Sequence, residues 1–246
     1  MPKIYLSPST QEFNKYVTRE SEEYFMNLLA DYLTPYLYSN GISFKRNKTY
    51  MTAKDNIEDS NNGNYDFHLA LHSNAAPKGE EGTRQGAEIY YFPKSAKGLK
   101  MAQILKEHFE EIYPDPENIK IIPTTSLGEV DKTKAPAVLI EVAYHDNIED
   151  AMWIEENLPV IAKAIGESLA EYFHIPFAEP LSPIFAKVET EYTNLNLRDM
   201  PTLTSRIFTS MPDDSSVVIL GIKDNWARLI YNGILGFACN NYLDYD

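Results

Sequence analysis

An α/β domain followed by a small all-β module is the fold class that the 246-residue sequence predicts, and three observations predict it. Through residue 175, short apolar runs alternate with longer segments of three- and four-residue apolar spacing, the pattern of strands alternating with helices. The stretch HIPFAEPLSP then places Pro176, Pro180 and Pro183 close together, which resists helix and predicts a semi-rigid linker over 176–183. From residue 184 to 246 only short strand-like runs remain, separated by turn residues, as in a small barrel.

In the first domain the expected strands are Lys3–Ser7, Ile42–Arg46, Asp66–His72, Ala87–Phe92, Ile119–Pro123 and Ala137–Ala143. A helix is expected over Glu22–Leu37, where Phe25, Leu28, Leu29 and Leu33 recur on one face and Ser21 stands at the N-cap. Ser95–Tyr113 and Ile148–Phe173 read as further helices, the second with a kink at Pro159. Asn61-Asn62-Gly63-Asn64 reads as turn punctuation. In the tail, strands are expected at Ala186–Thr190, Leu195–Arg198, Ser205–Thr209, Val217–Ile222, Ala227–Tyr231 and Gly236–Cys239.

Composition narrows the function. A 43% hydrophobic content supplies a folded core, and a net charge of −14 lacks the basic footprint that nucleic acid requires. The same charge opposes purely electrostatic docking on an anionic membrane or wall polymer. No apolar run reaches the ~20 residues of a membrane span. The N-terminus leads directly from Met1-Pro2-Lys3 into an apolar strand, so no export signal is expected and the chain reads as cytoplasmic when synthesised. Cys239 is the single cysteine and reads as a small buried strand residue.

Chemistry concentrates in three places. In Asp66-Phe67-His68-Leu69-Ala70-Leu71-His72-Ser73-Asn74, His72 stands where a buried strand runs out into a loop, the end at which α/β sites assemble. His68 shares its face but lies roughly 13 Å away at ~3.3 Å per residue, too far to bind the same ion, and reads as a satisfied core histidine. In Ala137-Val138-Leu139-Ile140-Glu141, an apolar strand ends in a carboxylate that must be paired or used. His145 and Asp146 follow, the latter expected as a helix cap. Glu22-Glu23 opens the first helix, where acidic residues also complement the helix dipole. Glutamate, histidine and glutamate on successive elements suit a hydrolytic zinc site, with N and O ligands, an open position and a carboxylate for the water proton.

The segments ESEEYFMNLLADYL, DFHLALHSNAAP with GAEIYYFP, and KAPAVLIEVAYHDN resemble the zinc-dependent N-acetylmuramoyl-L-alanine amidases of the amidase-3 type, over residues 1–174. The resemblance implies a mixed, mostly parallel sheet flanked by helices, with zinc as cofactor, Glu23 and His72 as ligands, and Glu141 acting on the water. It implies hydrolysis of the bond between N-acetylmuramic acid and L-alanine in peptidoglycan. Family members carry another histidine after the first strand, whereas this chain has Ser7-Pro8-Ser9-Thr10-Gln11-Glu12-Phe13-Asn14 there; Glu12 is the expected substitute, with His145 as the other choice. The tail, with Asn196-Leu197-Arg198, Trp226 and Tyr231-Asn232-Gly233, resembles bacterial SH3-type modules, which implies wall binding; Trp226 and Tyr242 equally suit a small core. Two rival readings stand beside the amidase: a wall-binding protein whose amidase fold has lost its metal, and another zinc peptidase or amidase on the same scaffold.

Overall fold

The computed structural model describes residues 1–223 and 225–245; Asp224 and Asp246, both within the segment expected as the barrel, lie outside the described residues. The chain forms two compact units, one from residues 1–34 and 43–172, the other from residues 35–42 and the chain from Phe173 onward.

The first unit is built in chain order from β1 (Lys3–Pro8), α1 (Glu22–Ser39), β2 (Ser43–Arg46), α2 (Ala53–Asn62), β3 (Phe67–Asn74), β4 (Glu88–Tyr91), α3 (Ala96–Glu110), β5 (Lys120–Pro123), α4 (Gly128–Asp131), β6 (Ala137–Tyr144) and α5 (Ile148–Tyr172). Its six strands are ordered β2-β1-β3-β6-β4-β5, and every pairing is parallel except β4 with β6. The mixed, mostly parallel sheet flanked by helices is therefore present. The central strands are buried on both faces and accordingly read as continuous apolar runs: Ile4, Leu6, Leu69, Leu71, Val138 and Ile140 are fully enclosed.

Each expected helix forms. Ser21 accepts from the backbone N–H of Tyr24 and so starts α1, and α5 runs without a break through Pro159. Asp146 does not cap α5; Asn147 does, its Oδ1 accepting from the backbone of Glu149 and Asp150. Asp146 instead ties the N–H groups of Ala76 and Gly82, holding the loop after β3. Two helices are additional. The α2 segment AKDNIEDSNN carries little apolar signal, and its start is fixed by a capping box between Thr52 and Asp55. The one-turn α4 lays Val130 against Ala70 and Leu139.

The second unit holds β7 (Glu179–Val188), β8 (Leu195–Arg198), β9 (Ile207–Met211), β10 (Ser216–Lys223), β11 (Trp226–Tyr231), β12 (Ile234–Cys239) and β13 (Leu243–Tyr245). They make one antiparallel sheet in the order β13-β7-β10-β11-β12-β8-β9. Its core is Val188, Leu197, Met211, Val217, Ile219, Leu229 and Ala238. The β7 strand starts at Glu179, inside the stretch expected as linker, and pairs with β10 there. Cys239 lies at the end of β12, partly exposed rather than fully enclosed. Among the described residues no helix is long and apolar enough to cross a membrane.

Candidate active site

Register builds the site. His72 on β3 stands beside Glu141 on β6, and Glu141 beside Glu88 on β4. Laterally paired residues share a sheet face at ~4.8 Å strand spacing, so an imidazole and two carboxylates form one row across three strands. Glu88 is committed to holding the row together: Asn74 and the Tyr90 and Tyr144 hydroxyls all donate to it. Glu141 is not. Its Oε2 is shut from solvent and has no hydrogen-bond partner. Burial pushes its carboxyl up to about 7; the His72 charge opposes this, while Glu22 and Glu88 add to it. A carboxyl that changes protonation near neutrality, with an unused oxygen, has the properties of a general base.

The N-terminus of α1 supplies the next group. Glu22, 1% exposed, places Oε1 2.8 Å from His72 Nδ1. Burial acts against both charges, yet His72 and Asn14 lower the Glu22 carboxyl, and Glu129, Glu22 and Glu141 raise the His72 imidazole well above its ordinary value. Asn14 donates to Glu22 Oε2 at 2.7 Å and to Gln11 Oε1 at 3.2 Å, and the Gln11 amide nitrogen lies 3.3 Å from the same His72 Nδ1.

With the Gln11 amide nitrogen towards His72, this ring of four side chains has no proton arrangement that satisfies every contact. With a proton on Nδ1, Glu22 gains its bond but the Gln11 amide N–H meets another donor. Without it, the Glu22 carboxylate faces a lone pair. Turning the Gln11 amide so that its oxygen faces Nδ1 removes the conflict there, and a carboxylate oxygen, an imidazole nitrogen and an amide oxygen then converge on one point, a donor set suited to a cation. Donor atoms around tetrahedral zinc, at ~2.0–2.1 Å from the ion, stand roughly 3.3 Å apart. The 3.3 Å separation of Gln11 from His72 matches that spacing, and the 2.8 Å separation of Glu22 from His72 is about 0.5 Å shorter. Among the described residues no group of three or more His, Cys, Asp or Glu side chains is placed to hold a metal.

On its far side His72 meets a residue that sequence reasoning missed. Glu129, from α4, lies with Oε2 3.6 Å from His72 Nε2 and Oε1 3.3 Å from His68 Nε2. Ser7 donates to the same Oε1 at 2.5 Å. Burial would raise the Glu129 carboxyl, but His68 and His72 together hold it well below the usual carboxylate range.

The expected residues divide accordingly. His72 and Glu141 stand side by side. Glu22 rather than Glu23 makes the helix contact; Glu23 is part-exposed, and its backbone carbonyl accepts from the Asn27 amide. Glu12 is exposed, and no side-chain contact brings it to His72. Gln11, its neighbour, is the residue that reaches the imidazole. His145 is held elsewhere, with Nδ1 against the Ser73 carbonyl at 2.9 Å and its ring stacked on Tyr16. His68 is fully buried, stacked on Tyr5 and bonded through Nδ1 to Ser60 Oγ, while its Nε2 faces Glu129.

The profile of the N-acetylmuramoyl-L-alanine amidases (Amidase_3) matches residues 11–171, well over half of the chain. The chain belongs to this amidase family. The match spans α1, β3 and β6, the elements that carry Glu22, His72 and Glu141. Solved structures that share the amidase fold include the following three. An N-acetylmuramoyl-L-alanine amidase from Clostridium difficile 630 superposes with a TM-score of 0.63 at 20% identity, covering 70% of this chain and 97% of that one. AmiC2 of Nostoc punctiforme gives 0.61 at 15% identity, covering 70% and 97%. The catalytic domain of CwlV from Bacillus (Paenibacillus) polymyxa gives 0.60 at 17% identity, covering 72% and 100%. Comparison with curated protein sequences finds no match.

Proposed function

We propose that this family member is a zinc-dependent peptidoglycan amidase that cuts the bond between N-acetylmuramic acid and L-alanine. The observation that carries the reading is the juxtaposition of Glu22 and His72, a carboxylate and an imidazole converging on one point, with Glu141, whose buried oxygen is unpaired beside them. Glu22 and His72 would hold the ion, with the Gln11 amide oxygen as a third donor in place of Glu23 and Glu12. When bound, zinc supplies a Lewis acid for the amide carbonyl and lowers the pKa of a water towards neutrality. Glu141 takes the proton of the attacking water at Oε2 and passes it to the departing amine of L-alanine. Glu88 fixes the row through Asn74, Tyr90 and Tyr144, and its charge beside Glu141 strengthens that carboxylate as a proton acceptor. No serine or cysteine nucleophile is needed.

The antiparallel unit would serve as a bacterial SH3-like module that brings the catalytic unit to the wall. Its support is a groove lined by Asn194, Asn196, Arg198, Trp226 and Tyr242, which offers aromatic faces together with amide and guanidinium donors. The test is Glu141→Gln. The variant should bind zinc as the parent does and release no stem peptide from purified peptidoglycan. Release at the parental rate would remove Glu141 from the mechanism.

A further inference from the structure

Glu129 is a buried carboxylate that the proposed chemistry does not use. It is 4% exposed, projects from a single helical turn, and sits among Ser7, His68 and His72. Burying such a group is costly unless its charge is put to work. The neighbours of Glu129 are themselves fixed. Val130 and Leu127 seat α4 against Ala70 and Leu139, Ser7 donates to Oε1, and Ser60 occupies the other nitrogen of His68. One oxygen, Oε2, is left facing His72 Nε2 across 3.6 Å, and that nitrogen has no other partner.

We infer that Glu129 is a positioning residue for His72. Its carboxylate accepts from Nε2–H, which fixes the imidazole tautomer so that the Nδ1 lone pair faces Glu22 and the cation. The inference rests on the zinc reading above. Its physical basis is general: an imidazole ligand is oriented, and its ligating nitrogen made more basic, when its other N–H is held by a carboxylate. At 3.6 Å the contact is longer than a hydrogen bond, and a small inward movement of the ring on metal binding would close it. The cluster of Ser7 and His68 holds Glu129 in place, so the carboxylate does not swing out to solvent.

The experiment is zinc titration by calorimetry of the full chain and three variants, with thermal unfolding of each metal-free protein alongside. Glu129→Ala should bind zinc about 10–100-fold more weakly than the parent. Glu129→Gln should lose less, because its amide oxygen still accepts from Nε2–H. Val130→Ala, which loosens the same helix without touching His72, should lower the unfolding temperature and leave zinc affinity within twofold. Parental affinity in Glu129→Ala, or an equal loss in Val130→Ala, overturns the positioning role. If the parent binds no zinc, the metal reading falls and this inference falls with it.

Discussion

Replacing Glu141 by glutamine tests the electrostatics of the site separately from its chemistry. In the metal-free protein the Glu141 carboxyl moves from an ordinary 4.5 to about 7, with burial as the largest cause. The folded state then holds more protons than the unfolded chain between those two values, so this group makes stability fall as pH rises. The cost is nearly absent below pH 4.5 and complete above pH 7, where it reaches about 3 kcal/mol at ~1.4 kcal/mol per tenfold. Glutamine keeps the shape and does not titrate. Urea denaturation of chelator-treated protein at pH 5 and pH 8 should show the parent losing about 2–3 kcal/mol more than Glu141→Gln between the two. A parallel pH dependence in both proteins would show that Glu141 is an ordinary solvated carboxyl and would refute the assignment of a raised pKa.

Three further outcomes follow from particular contacts. Glu22→Ala should abolish zinc binding while Glu23→Ala leaves it within twofold, read by calorimetry; the opposite order would return the ligand to Glu23. Thr52→Ala removes the cap of α2 and should cost about 1 kcal/mol in urea denaturation without altering zinc affinity. Gly86 has φ +97°, and a Cβ there would lie 2.2 Å from the Asn118 carbonyl, so Gly86→Ala should destabilise by more than about 1 kcal/mol in the same assay.

The strand order could not be read from the chain, but the strands themselves could, because central parallel strands bury both faces and so read as plain apolar runs. His72 and Glu141 were legible for a related reason: each interrupts such a run in its carboxyl-terminal half, although β6 continues for three buried residues beyond Glu141. The choice between Glu22 and Glu23 had a signal that the apolar set did not use. Glu22 falls three, four and seven residues before the buried Phe25, Met26 and Leu29, in the middle of the inward stripe of α1, whereas Glu23 lies at its edge and is part-exposed. Gln11 carries no pattern of its own, and its place is set by the loop that Asn14 and Ser9 hold. Glu129 was invisible because a four-residue helix leaves no periodicity, and its partners Ser7, His68 and His72 meet only through the β1–β3 pairing. The polar α2 was missed because local capping, not an apolar face, marks its start.

The most direct test of the central claim is to incubate purified peptidoglycan with the full chain, first stripped by chelator and then resupplied with one equivalent of zinc. The account predicts no release from the stripped protein, and restored release of stem peptides bearing new L-alanine amino termini once zinc is returned. Binding to peptidoglycan without release in either state would contradict it, and would mark the fold as a wall-binding scaffold instead.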